Sequence, residues 1–181
     1  MGKQSIFLAS MRCLEIEQFL ENLGADDYDQ DDVSPQDDYN CIAYALGEKN
    51  KPWWPSMRLK DDYEWPPDLP RQVDDQETLD NFILAFQKRG YKVCKNGRLK
   101  SGIEKVAIFT ISNVPKHAAL QLESGIWGSK CGGYEDIKHF TLSSVEGKNY
   151  GKATVFLHRR RDRKPFLKDQ ILSIVKKLLG R

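Results

Sequence analysis

Apolar positions along this chain change period, helical in its first half and strand-like in its second. Leu14, Ile16, Phe19, Leu20 and Leu23 recur at mainly helical spacing over residues 12–23, and Gly24 supplies a C-cap. The stretch ADDYDQDDVSPQDD, residues 25–38, is too acidic and too poor in apolar side chains to bury anything, so it reads as a loop. A short apolar run follows in YNCIAYALG, with Asp37 and Asp38 favouring helix initiation near Asn40. Over residues 76–89, Leu79, Phe82, Ile83 and Phe86 predict an amphipathic helix closed by Gly90.

From there the period is that of strands. YKVC at 91–94, the near-continuous apolar run EKVAIFTI at 104–111 and KATVFLH at 152–158 read as strands, the second as a central buried one. HAALQL at 117–122 and GIWGSK at 125–130 are joined by Glu123 and Ser124 and predict a hairpin. EDIKH, residues 135–139, reads as a short helix that Asp136 and His139 cap and decorate, with a second site formed by these two residues as the alternative. HRRRDRK at 158–164 marks an exposed boundary, and residues 166–179 form an amphipathic helix. Helices first and antiparallel strands afterwards give an α+β order. At 181 residues the chain suits one domain over 1–164, with the helix of 165–181 packed on it or appended to it.

Between the helices, residues 51–70 carry five prolines and three tryptophans, which forbids long regular elements and supplies large apolar surface. Trp53 and Trp54 there either line a substrate cleft or cover the core. The formal net charge of +2 gives no global field for nucleic acid or an anionic membrane, and no run approaches the ~20 apolar residues of a membrane span. HRRRDRK lacks the aromatic interleaving of a nucleic-acid patch. Cys13, Cys41, Cys94 and Cys131 form no CxxC pair and no zinc-like cluster, and the acidic loop lacks calcium-loop spacing. The expectation is a cytoplasmic protein with reduced thiols, without metal or cofactor, and with neither nucleic acid nor membrane as partner.

Chemistry concentrates at Cys41. A helix start and a neighbouring imidazole both favour a thiolate, and His117 opens a strand from which its ring can reach across the sheet. A base of this kind needs a third polar group to orient it. The hairpin brings residues 129–131 alongside His117, which leaves Ser129, Lys130 or the later Asp136 for that role.

Cysteine at a helix start in NCIAY, histidine opening a strand, and a polar residue one hairpin arm later in HAALQLESGIWGS resemble the papain-like superfamily, in particular its NlpC-type branch of amidases and peptidases. The resemblance covers roughly residues 36–131. It implies a papain-like α+β fold with N-terminal helices packed on an antiparallel sheet, and Cys41 as nucleophile, His117 as base and Ser129 as third residue. Its substrate class would be peptides or other amides. The oxyanion would be met by the Cys41 amide and a donor from Gln36, Tyr39 or Asn40. Ile42 stands where that branch usually has Ser, and Ser129 is a weaker orienting group than His, Asn or Asp. Those departures motivate the alternative of a catalytically silent papain-like fold that serves as a protein-interaction module. The chain is also similar to uncharacterised bacterial proteins that share NCIAYALG, the WWP loop and the HAALQL, WGSK and EDIKH blocks.

Overall fold

The computed structural model describes residues 15–30, 38–56, 62–71 and 77–161. Its framework is a seven-stranded sheet: β1 (Tyr28–Gln30), β2 (Lys92–Cys94), β3 (Ile103–Ile111), β4 (Val114–Gln121), β5 (Trp127–Lys130), β6 (Asp136–His139) and β7 (Lys152–Arg160). Strand order across it is β1-β6-β5-β4-β3-β7-β2, with every neighbour antiparallel. Among the described residues α-helices are few: helical residues 15–19 (α1), α2 (Cys41–Leu46) and α3 (Leu79–Lys88). The protein is therefore α+β. None of the helices among the described residues is long and apolar enough to cross a membrane.

β3 shows why its apolar run is continuous. Val106 and Ile108 enter one core with α2, α3, Trp53 and Trp65, while Ala107 and Phe109 enter another with Ile16, Leu20, Leu23 and Trp127. Alternation puts successive side chains on opposite faces, and both faces are covered, so no position has to be polar. The turn to β4 is made by Ser112 (φ 49°) and Asn113 (φ 68°), two left-handed residues that match the twist of a tight hairpin.

α2 is short but closed at both ends. Asn40 caps it through Oδ1, which accepts from the Ala43 N–H, and Gly47 ends it at φ 79°. Its face from Ile42 to Leu46 is buried, and Tyr44 lies over Gly128 of β5, where any Cβ would meet the phenol oxygen at 2.4 Å. Trp53, Trp65 and Phe82 continue this layer, with Trp65 and Phe82 edge-on at 5.4 Å.

Several expectations change. The acidic loop contains β1, whose Tyr28 pairs with His139 at the sheet edge; exposed edge strands tolerate charge, which hid this one. EDIKH is strand β6 rather than a helix, because it pairs along β5 from Trp127↔His139 to Lys130↔Asp136. β4 begins earlier, at Val114, and β5 later, at Trp127. HRRRDRK is no boundary at its start: β7 runs through Arg160, Arg159 Nε donates to Glu104 Oε1 at 2.8 Å, and Arg161 donates to the Gln121 carbonyl. The helix expected at 166–179 lies outside the described residues.

Candidate active site

His117 sits at an irregularity. The β3–β4 register runs Phe109↔His117 and then Thr110↔Pro115, so Lys116 is an extra residue and the strand is re-aimed beside the ring. As the partner of Phe109, His117 points into the α1-side core, where it is fully buried. Tyr150 stacks on it at 4.0 Å between centroids and 11° between planes, and Phe109 meets it edge-on at 5.3 Å. These contacts fix the plane of the imidazole.

One ring nitrogen is partnered and the other is not. Nε2 lies 3.0 Å from Ser129 Oγ, which in turn lies 2.9 Å from Nε2 of His139, whose Nδ1 is 2.6 Å from the Thr141 carbonyl. Ser129 and His139 are fully buried. The chain crosses β4, β5 and β6 diagonally on one sheet face. Nδ1 of His117 is buried without a hydrogen-bond partner among the described residues. Burial pushes both imidazoles down from an ordinary 6.5, His117 to about 3 with help from His139, and His139 to about 4 against the Thr141 bond, which favours its charge.

Cys41 is the first residue of α2 and packs partly buried against the α2-side core. Register pairs between β4 and β5 are Leu120↔Gly128 and Gln121↔Trp127, so the ladder ends before Ala118. At that end the thiol meets β4. Burial pushes Cys41 up to about 11, while the backbone amides of Ala118, Ile42 and Cys41 itself, and then the Lys130 charge, act in the opposite direction. The Ala118 amide belongs to the residue that follows His117. Cys41 also bears electrostatically on Cys131 and Tyr150 of the opposite core, yet it packs on the α2 side whereas His117 packs on the α1 side, and no hydrogen bond joins its sulfur to His117 Nδ1. Cys41, Cys94 and Cys131 are free thiols.

The other expected site residues have different surroundings. Asn40 is committed to structure: besides capping α2, its Oδ1 accepts from the Trp53 N–H at 3.1 Å and its Nδ2 donates to the Trp53 carbonyl at 2.9 Å. Tyr39 is buried and donates to Asp136 Oδ2 at 2.7 Å, an oxygen that Lys49 also reaches at 2.7 Å. Asp136 thus serves the α2 layer and does not touch His117. Lys130 is buried opposite it, donates to the Tyr134 carbonyl, and lies 5.7 Å from the Tyr39 ring centroid. Of the three groups considered for orienting His117, Ser129 is the one in contact with it. Trp53 is buried and donates from Nε1 to Glu48, while Trp54 donates to Glu77 at 3.0 Å and packs on Phe82; both belong to the layer over α2 and α3. Gln36 lies outside the described residues.

His139 is the site neighbour that the sequence pattern did not reveal. A signal was present in Gly132-Gly133, a turn after GIWGSK that can start a third hairpin arm and carry His139 back beside Trp127. No group of three or more His, Cys, Asp or Glu side chains suited to a metal ion occurs among the described residues.

No curated protein and no solved structure matches this chain. A family model described as a domain of unknown function, DUF7689, matches residues 32–158, more than half of the chain, and the protein belongs to that family.

Proposed function

We propose that this protein is a thiol hydrolase or acyltransferase acting on an amide bond, with its groups arranged in the papain-like manner. Cys41 Sγ attacks the carbonyl carbon as its proton passes to His117 Nδ1. The tetrahedral oxyanion is met by the Cys41 backbone amide, and the leaving amine takes the proton from His117. Water or an acceptor amine then releases the acyl group from the sulfur. What supports this reading is the state of His117: Nε2 held by Ser129, Nδ1 buried and without a partner among the described residues, and the next residue's amide facing the Cys41 sulfur, which is not itself hydrogen-bonded to Nδ1. With the thiol raised to about 11 and the imidazole lowered to about 3, the resting pair is neutral. Proton transfer therefore accompanies attack, and His117 acts as a general base rather than as half of a standing ion pair.

An activated ester tests this. Incubation with p-nitrophenyl acetate, followed by intact-mass and peptide mapping, is expected to give one acetyl group on Cys41. Cys41→Ala would lack it, and His117→Ala would form it at least tenfold more slowly. Acetylation spread evenly over Cys41, Cys94 and Cys131 would contradict the reading.

The neutral resting pair also favours a second reading, a catalytically silent fold that binds a protein partner. It predicts no acetyl-enzyme at all and a surface whose binding is indifferent to Cys41→Ser.

A further inference from the structure

The order of protons along the buried chain follows from its chemistry. Thr141 offers a carbonyl oxygen, which only accepts, so the 2.6 Å contact requires a proton on His139 Nδ1. Burial keeps both rings neutral, and a neutral ring protonated at Nδ1 has a bare Nε2. Ser129 must then donate its single hydroxyl proton to His139 Nε2 across 2.9 Å. Only lone pairs remain on Ser129 Oγ toward His117, so the 3.0 Å contact needs a proton on His117 Nε2. The bare nitrogen of His117 is Nδ1, the atom without a partner among the described residues.

We infer that His139 is a positioning residue which, through the Ser129 hydroxyl, fixes His117 as the Nε2–H tautomer and leaves its lone pair on Nδ1. Serine alone cannot do this, because its hydroxyl rotates and serves either tautomer equally. The Thr141 carbonyl and His139 remove that freedom. A Ser–His pair thereby does the work of a single carboxamide or carboxylate. Tyr150 stacking fixes the plane of the ring and this chain fixes its proton. The consequence for reactivity rests on the reading of Cys41 and His117 as nucleophile and base; the proton order itself does not.

Long-range proton–nitrogen spectra of the full chain with labelled histidine, at pH 7.5, read the tautomers directly, with assignment by single-histidine substitution. The expected result is Nδ1–H at His139 and Nε2–H at His117, the latter in at least tenfold excess. His139→Phe should abolish that excess, and His139→Gln, whose amide oxygen can take the serine proton, should retain it. Cys41 alkylation by iodoacetamide should fall at least tenfold in His139→Phe and return to within about threefold of wild type in His139→Gln, a rescue that loss of packing alone would not give. His117 protonated at Nδ1 in the wild type, or an unchanged tautomer in His139→Phe, would overturn the inference. Should His139→Phe not fold, Ser129→Ala decides in its place: an unchanged His117 tautomer there also overturns it. The expected tautomers with an inert Cys41 would support the proton order and remove the catalytic reading.

Discussion

Acid should destabilise this protein through two buried histidines, by an amount the structure sets. His117 is held at about 3 and His139 at about 4, against 6.5 in an unfolded chain. Both folded values are depressed, so the unfolded state binds more protons below pH 6.5. The stabilisation is fully present above that pH and is lost as pH falls toward 4 and then 3. Between pH 8 and pH 5 each histidine costs about 2 kcal/mol, or about 4 kcal/mol together, a large share of the ~5–15 kcal/mol that holds a domain of this size. Other groups titrate in the same range, so the informative quantity is a difference. Urea unfolding followed by tryptophan fluorescence at pH 5, 6, 7 and 8, on wild type and His139→Gln, isolates one histidine. The variant should lose about 2 kcal/mol less than wild type between pH 8 and pH 5. Identical pH dependence in the two proteins would refute the assignment of His139 as a buried neutral ring.

Three further outcomes follow from the same packing. Cys41, raised from 9.0 to about 11, is a thiol that stays protonated longer in the folded state, so its contribution is present below pH 9 and lost as pH rises toward 11; from pH 9 to 10 wild type should lose about 1 kcal/mol more than Cys41→Ala in urea melts. Gly128→Ala places a methyl 2.4 Å from the Tyr44 phenol oxygen and should cost about 1–3 kcal/mol, partly restored by Tyr44→Phe in the double variant. Gly151→Ala meets the Thr110 backbone carbonyl at 1.9 Å from a residue at φ 75°, so its thermal unfolding midpoint should fall further than that of Gly128→Ala, because backbone cannot swing aside as a phenol can.

What could be read from the sequence is what burial writes into residue type. β3 was legible because both its faces are covered, and α3 because one of its faces is. That residues 129–131 lie beside His117 was legible from the hairpin, whereas the choice of Ser129 over Lys130 and Asp136 needed the register, which puts Ser129 on the face of His117 and Lys130 opposite Asp136 on the other. The remainder was hidden by polar residues in buried or paired positions. Asp136 and His139 look like surface residues until β6 is seen to lie between β1 and β5, where Tyr39 and Lys49 satisfy one oxygen of the first and Thr141 and Ser129 satisfy the second. Arg159 looked like part of a solvated run, yet it bonds Glu104 and covers the Tyr91 ring at 4.5 Å. Tyr28–Gln30 was lost because three residues at a sheet edge carry no period of their own.

The proposed function stands or falls on whether His117 draws the proton from Cys41. Its most direct test is the rate of iodoacetamide alkylation at Cys41 and Cys94, read by peptide mass spectrometry at pH 7.5 in wild type and His117→Ala. The Cys41 rate should fall at least tenfold in the variant while the Cys94 rate stays within twofold. A Cys41 rate unchanged by the loss of the imidazole would contradict it.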